Sequence, residues 1–161
     1  MRPSAGLRHV QRMEIRVAGE EDIRHLAGLL VRFGDEGDTA AVEQSFAEDL
    51  LGWWRAHNDS HVPFLATLPS TDAVGMAWLA VTARVPRPGS MSRRSGDVQS
   101  VFVVPEHRSR GVGIALLRSV LQHAKALDLE HVTVHSHQGA ASLYERAGFT
   151  STPDLLIRTV P

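Results

Sequence analysis

The sequence has no cysteine, which excludes disulfide bonds, thiol catalysis and metal sites built on thiolates. It has little net charge, −1 at pH 7, so the total charge does not draw the chain to nucleic acid or to an anionic membrane. No apolar run approaches the ~20 residues of a membrane-spanning helix, and the first residues lack the apolar stretch of a secretory signal. We therefore expect a cytoplasmic protein with neither a membrane nor a nucleic-acid partner.

What the chain does contain is enough apolar sequence for one folded domain. Hydrophobic residues make up 43% of its 161 residues and charged residues 22%, which is typical of a globular protein. Residues 1–12 are polar and have no clear period. We therefore expect a flexible leader over residues 1–12 and a single domain over residues 13–161.

The hydrophobic pattern predicts strands and helices in a mixed order, because period-2 alternation indicates strands and 3.6-residue spacing indicates helices. The predicted strands are 13–17, 64–68, 73–81, 97–104, 132–135 and 155–160, and the predicted helices are 20–33, 39–57, 111–127 and 139–147. Residues 84–96, which hold four arginines and no acid, are predicted to form a mobile basic loop. This order indicates an α/β fold layered around a mixed sheet.

A glycine-containing turn after the fourth predicted strand predicts an anion-binding site. The strand stops at Pro105, and Gly111 and Gly113 flank Val112 where the long helix begins. A helix N-terminus offers unpaired N–H groups and a partial positive charge, and glycine removes the Cβ atoms that would hold a phosphate away. The turn is neither a Walker A loop nor a dinucleotide fingerprint, because the required lysine and third glycine are missing. A basic turn that only leads into a core helix remains the alternative.

Two motifs in this region resemble those of the GNAT superfamily of N-acetyltransferases. Residues 108–113 read RSRGVG, which is similar to the family's R/Q-x-x-G-x-G/A signature, and the strand before them ends in a similar V-x-V-x-P pattern. Residues 143–149 read LYERAGF, which resembles the family's L-Y-E-x-x-G-F segment. The resemblance is strongest over 97–149 and weaker over 14–81. It implies a GNAT fold, an α/β fold with a mixed central sheet of about six strands flanked by about four helices.

The resemblance also implies an acetyl-CoA site and a catalytic tyrosine. By analogy, the backbone of Val101, Phe102 and Val103 would pair with the pantetheine arm. The pyrophosphate would be held by Arg108, Ser109, Arg110, Gly111, Val112 and Gly113. Tyr144 would protonate the departing CoA thiolate, which suits a phenol with a pKa of ~10. His137 stands where the family often has asparagine, so it would either contact the CoA arm or cap the helix.

The general base is less clear from the sequence. The family often has a glutamate at the position of Gln99, which is unable to accept a proton. Asp97 lies two residues earlier on the same face of the strand, so we expect it to act through a water. His135 is another candidate. His135 and His137 lack a third ligand at a recognisable spacing, so no metal is expected.

The acceptor is expected to be an amine, and a cationic one is favoured by the acids between residues 20 and 50. Nine acids and only two arginines lie there: Glu20, Glu21, Asp22, Asp35, Glu36, Asp38, Glu43, Glu48, Asp49, Arg24 and Arg32. An ordinary solvated helix surface is the alternative explanation of these acids. Of the pair Trp53-Trp54, Trp53 is the better candidate for a ligand platform.

An N-acetyltransferase is the leading interpretation. A non-catalytic acyl-CoA-binding regulatory module and a nucleotide binder of another fold are the competing ones, and a homodimer is left open.

Overall fold

The computed structural model describes residues 13–34, 40–69, 73–136, 139–158 and 160. The leader predicted over residues 1–12 lies outside the described residues. Within them the strands and α-helices are β1 (Glu14–Val17), α1 (Ile23–Phe33), α2 (Ala40–His57), β2 (His61–Thr67), β3 (Ala73–Ala83), β4 (Arg94–Val103), α3 (Val112–Ala126), β5 (Val132–Val134) and α4 (Ala141–Arg146). Short 3-10 helices, Glu20–Asp22 and Pro105–His107, precede α1 and α3.

The strands form one mixed sheet in the order β1-β2-β3-β4-β5. The first three pairings are antiparallel, and only β4 and β5 run parallel. The central strands are buried on both faces, as the continuous buried run from Val74 to Ala80 shows. The α/β class and the mixed sheet predicted from the sequence are therefore confirmed.

Helices cover the two faces of the sheet. On one face α3 packs closely on β3, because a Cβ at Gly75 would lie 3.2 Å from Cδ1 of Leu116. Leu116, Leu117 and Val120 of α3 are fully buried, and each such side chain contributes about 1.5–3 kcal/mol relative to exposure. On the other face α1 and α2 lie over Trp78 of β3.

The predicted sixth strand, 155–160, is wrong over its described part. Residues 155–158 form no strand, and Leu155, Leu156 and Ile157 are exposed by 52%, 91% and 68%. Alternation of apolar residues indicates which side chains share a face, but a strand also needs a neighbouring edge to bond to. Here the segment packs against no strand of the described sheet, which therefore has five strands.

The basic segment 84–96 is more ordered than predicted. Its last residues, Arg94 to Gly96, belong to β4, and the remainder turns back on itself through paired Arg87 and Ser90. Glu130 bonds two of its arginines, with 2.6 Å to Arg93 Nε and 3.2 Å to Arg84 Nη1. The arginines therefore brace a hairpin.

Candidate active site

A bulge in β4 determines the shape of the site. Met76 pairs with Phe102 but Trp78 pairs with Gln99, so Ser100 and Val101 together face one residue of β3. Ser100 takes a φ of 50°, a left-handed conformation that is uncommon outside glycine. Such bulges bend a strand and re-aim its side chains.

The two parallel strands part just before this bulge. β5 pairs only with Gly96, Asp97 and Val98 of β4. Phe102 and Val103 therefore pair with β3 on one side, Val101 lies in the bulge, and these residues have no strand of the described sheet on the other side. An extended ligand can bond to such a free backbone edge in the manner of an added strand.

A groove of about 870 Å³ opens along this free edge; we call it the donor groove. It brings together most of the cofactor-binding residues expected from the sequence: Val101, Phe102, Val103, Arg108, Ser109, Gly111, Val112 and Gly113. Arg110 is exposed beside the turn and is not part of the groove wall. His137 lies outside the described residues.

The glycine turn gives the groove an exposed helix N-terminus. Gly111 caps α3 with a φ of 83°, and Ser109 has a φ of 58°, so two residues of the turn are left-handed. A Cβ at Gly113 would lie 3.3 Å from Cδ2 of Leu143 and would crowd α4. The first amides of the 15-residue α3 therefore remain accessible to an anion.

Cationic side chains that the sequence analysis did not single out also line the donor groove. Arg32 reaches it from α1 and Arg146 from α4, where its Nε donates to the Ser142 carbonyl at 3.1 Å. Arg108 donates from Nε to the Val103 carbonyl at 2.9 Å, and its guanidinium carbon lies 5.7 Å from the Phe102 ring centroid. This bond ties the turn to the end of β4. The groove is thus basic and suited to several phosphates.

Tyr144 lies half-buried on α4, next to Leu143 of the donor groove. Its ring meets Phe149 edge-on, with centroids 5.8 Å apart. Burial raises the pKa of Tyr144 above its ordinary value of 10.0, so the phenol is protonated at neutral pH. A protonated phenol is able to donate a proton to a leaving thiolate.

Asp97 and Gln99 share a face of β4, as the alternation predicted. Asp97 accepts a hydrogen bond from Thr133 Oγ1 at 2.8 Å and another from Gln99 Nε2 at 3.1 Å. Gln99 pairs with Trp78 and reaches the second cavity described below, whereas Asp97 lines neither cavity. His135 is exposed just beyond the end of β5.

A second cavity of about 350 Å³ lies between α1 and α2 and the sheet. We call it the aromatic pocket, because Phe46, Trp53 and Trp78 form much of its wall. Trp53 stands edge-on to Trp78, with ring centroids 6.2 Å apart. Trp53, which the sequence analysis favoured over Trp54 as a ligand platform, is 41% exposed and lines this pocket.

The aromatic pocket and the donor groove adjoin at the β4 bulge. Ser100 lines the pocket and Val101 lines the groove. Asp49 and His61 are the acidic and imidazole side chains of the pocket wall. Asp49 is one of the acids from which the sequence predicted a cationic acceptor, whereas His61 was not predicted as a site residue. Asp49 lies within α2 and His61 begins β2, and neither belongs to a recognisable sequence motif.

The acidic stretch between residues 20 and 50 has no single role in the fold. Asp22 pairs with Arg16 and Glu20 with Arg55, so these acids are structural. Asp49 is the acid of this stretch that reaches the aromatic pocket. Asp35, Glu36 and Asp38 lie outside the described residues.

Two kinds of feature are missing from the described part of the chain. No group of three histidine or acidic side chains there is close enough to hold a metal ion. No described helix has the length and apolar character to cross a membrane.

Comparisons with known proteins relate this fold to acetyltransferases of the GNAT type. Residues 88–158 match the family model described as an acetyltransferase (GNAT) domain. The curated glucosamine 6-phosphate N-acetyltransferase of Trypanosoma brucei brucei is 25% identical over 137 residues, which are 85% of this chain and 88% of that protein.

Solved structures share the fold along nearly the whole chain. One is a predicted acetyltransferase from Clostridium acetobutylicum with acetyl-CoA, 19% identical with a TM-score of 0.70, covering 92% of this chain and 96% of that one. Another is glucosamine 6-phosphate N-acetyltransferase from Arabidopsis thaliana, 16% identical with a TM-score of 0.73, covering 94% and 100%. The chain therefore has the fold of these acetyltransferases, and its residues 88–158 resemble the GNAT acetyltransferase domain.

Proposed function

We propose that the protein moves an acetyl group from acetyl-CoA to a primary amine of a small molecule or peptide, by direct attack in a ternary complex. The observation that carries the proposal is the meeting of two cavities at one bulge. The donor groove offers a free strand edge and a helix N-terminus, and the aromatic pocket opens beside it at Ser100. Two ligands bound there would have their reactive ends close together, as direct transfer requires.

The donor groove fits coenzyme A part by part. The amide-bearing pantetheine arm would lie along Val101 to Val103, and the pyrophosphate would meet the amides of residues 108–113. Arg32, which is paired with Glu106 at 3.3 Å, and Arg146 line the groove and would add further phosphate contacts. Charge-assisted bonds from arginine to phosphate are about twice as strong as neutral ones.

The reaction needs a proton acceptor for the amine and a proton donor for the thiolate. The amine nitrogen attacks the thioester carbonyl, a C–N bond forms, and the C–S bond breaks with its electron pair on sulfur. Tyr144 donates its phenolic proton to that sulfur and is reprotonated by the proton that the new amide nitrogen loses. Asp97, through a water, is the acceptor proposed from the sequence, and its bonds to Thr133 and Gln99 would hold the carboxylate in place.

A cationic acceptor is favoured by the charge of the aromatic pocket. Asp49 is the only acidic side chain among the described wall residues, and they include neither lysine nor arginine. A carboxylate beside aromatic faces attracts an ammonium group. No feature of the site favours the alternative of a non-catalytic acyl-CoA-binding module.

The donor assignment is tested with two glycine variants measured by calorimetry with CoA and with acetyl-CoA. Gly111→Asp adds a carboxylate where the pyrophosphate is proposed to bind, so affinity should fall by about 100-fold or more. Gly89→Asp is the matched control, because Gly89 has a φ of 81° in the distant hairpin and Gly111 a φ of 83°. Equal affinities for the two variants would show that residues 108–113 do not hold CoA.

Transfer itself is followed by free thiol release in a broad panel of primary amines. The protein contributes no thiol of its own, since it has no cysteine. Acetylated product should form with at least one amine. Tight CoA binding without transfer to any amine would favour the binding-module alternative.

A further inference from the structure

The aromatic pocket has the chemistry of a site for an apolar cation. Its described wall contains one carboxylate, Asp49, and one imidazole, His61, but neither lysine nor arginine. A volume of about 350 Å³ is at the small end of ligand pockets, which span roughly 300–1,000 Å³. An occupant carrying a phosphate would meet Asp49 without a cation to bind it.

Trp78 contributes an apolar aromatic face to the pocket wall. It is 5% exposed and lines the pocket edge-on to Trp53. Its indole Nε1–H is inaccessible to water, so the ring meets an occupant through its apolar atoms. An aromatic wall beside a single carboxylate suits a cation carried on a flat apolar body.

We propose that the acceptor is an arylalkylamine, a primary amine carried on a flat apolar ring. The ring would pack between Trp53, Phe46 and Trp78, and the ammonium would approach Asp49 before transfer. This inference rests on the proposed function. The relatives from Trypanosoma brucei brucei and Arabidopsis thaliana are named for glucosamine 6-phosphate, which is not an arylalkylamine.

The substrate class is tested by comparing kcat/KM for four amines. Tyramine and phenethylamine share an aromatic ring and differ by one hydroxyl, glucosamine 6-phosphate carries a phosphate, and kanamycin is a hydrophilic polycation. We expect the two arylalkylamines to exceed the others by about tenfold or more, since burying an aromatic ring is worth that factor. A preference for glucosamine 6-phosphate or kanamycin would overturn the arylalkylamine assignment while leaving the acetyltransferase proposal intact.

Variants at Trp53 locate the effect in the pocket. Trp53→Ala removes one exposed wall and should lower kcat/KM for phenethylamine by about tenfold or more, while CoA affinity is unchanged. Trp53→Phe keeps an aromatic face and should restore most of the loss. If Trp53→Ala and Trp53→Phe behave alike, the ring does not bind there.

A different observation points to the proton acceptor. Ser60 Oγ lies 3.2 Å from the His57 carbonyl and 3.0 Å from His61 Nδ1, so this hydroxyl holds the imidazole in place whichever way its single proton points. When Ser60 donates to the His57 carbonyl, it accepts from Nδ1–H of His61, and Nε2 is the basic nitrogen. The His61 ring lines the aromatic pocket, which puts the imidazole beside the proposed acceptor.

We infer that His61, rather than Asp97, takes the proton from the acceptor ammonium, because His61 lines the aromatic pocket and Asp97 lines neither cavity. The proton moves from R–NH₃⁺ to Nε2, and the freed nitrogen lone pair attacks the thioester carbonyl. The imidazolium then releases the proton to solvent. Trp53 covers one side of the imidazole edge-on at 4.9 Å, which limits the approach of water.

The charged and titratable neighbours of His61 come from α2 and the following turn. They are His57, whose ring centroid lies 5.9 Å away, Asp59, and Asp49 across the pocket. Burial first, and then His57, lower the pKa of His61 below its ordinary value of 6.5, although Asp59 opposes this. A lowered pKa favours the neutral imidazole, which is able to accept a proton. Activity should fall as the pH drops through this lowered pKa.

His61→Gln tests the role through the pH profile of kcat/KM with phenethylamine. The wild-type profile should rise as His61 deprotonates, and the variant should lose both that limb and about 10²–10⁴ in rate. His131→Gln, outside both cavities, should keep the full profile. Retention of the limb in His61→Gln, or its loss in Asp97→Asn alone, would overturn the role of His61 in favour of Asp97.

Discussion

Tyr144 is the only tyrosine of the chain, and its burial suits the role of a proton donor. A group that must donate a proton has to be protonated when the thiolate leaves. Because its pKa is raised above 10.0, the phenol keeps its proton throughout the neutral range and beyond. At physiological pH the supply of the protonated phenol therefore does not limit the reaction.

We predict that Tyr144→Phe folds normally and turns over slowly. The substitution removes one hydroxyl and keeps the ring that contacts Phe149, so the thermal midpoint should change little. Loss of general acid catalysis should lower kcat by about 10²–10⁴. A kcat within about twofold of wild type, with the preferred amine, would make Tyr144 structural.

Single residues were predicted from the sequence only where a motif marks them. The glycine turn and Tyr144 belong to motifs, and Asp97 and Gln99 follow from alternation. Arg32 and His61 had no such signal, because they reach the site from α1 and β2, far away in sequence. Only the folded sheet brings these side chains to the same bulge.

At the scale of elements, an ion pair joins the first strand to the entrance of α1. Arg16 bonds Asp22 through two contacts of 2.6 and 2.7 Å, and Gly19 N–H donates to the same carboxylate at 2.9 Å. Asp22 is 3% exposed. The Arg16 guanidinium, against the opposing effect of burial, holds the pKa of Asp22 below its ordinary value of 3.8.

We predict that Asp22→Asn lowers the free energy of unfolding at pH 7 by about 2 kcal/mol, because charge-assisted bonds to a buried carboxylate are lost. Since the folded pKa is depressed, this stabilisation is present above the unfolded pKa and is lost as pH falls through the folded one. The gap between wild type and variant should therefore close below pH 3.8. Denaturant unfolding at several pH values measures it.

The matched control for that prediction is Glu20→Gln. Glu20 also pairs with an arginine, Arg55, but both side chains are about half exposed. Its removal should cost less stability and show a weaker pH dependence, because solvent screens exposed pairs. Equal losses in the two variants would contradict the importance of burial at Asp22.

Helices and strands could be predicted from the sequence where their apolar residues recur at a regular spacing. α1, α2 and α3 begin and end within a few residues of the predicted bounds, because each carries an apolar stripe and a clear stop. The bulge at Ser100 was not predictable, since a one-residue register shift leaves no compositional mark. It reverses the alternation of β4, so Phe102 faces α1 and contacts Phe33 at 5.8 Å between ring centroids.

At the scale of the whole molecule, the two cavities have opposite charge. The donor groove is lined by arginines and the aromatic pocket contains Asp49. This division separates a polyanionic donor from a cationic acceptor, although the net charge is only −1. Net charge therefore conceals the polarity on which the proposed function depends.

We predict that KM for a cationic acceptor rises with ionic strength, because screening shortens electrostatic reach to ~8 Å at physiological salt. Asp49→Asn should raise KM and flatten this dependence. Glu48→Gln is the control, since Glu48 is the neighbouring acid on α2, bonds Gln44 and does not line the pocket. If KM does not change with salt, or changes equally in both variants, the acids form an ordinary solvated surface and do not recruit the acceptor.

The solitary tyrosine also makes the protein easy to observe. Biosynthetic replacement of tyrosine by fluorotyrosine would label one site only, on α4 beside the donor groove, and would give a single fluorine resonance. Its chemical shift would follow ring packing against Phe149 and the filling of the groove. The fold therefore carries a one-site magnetic resonance reporter at the place where the acetyl group is proposed to change hands.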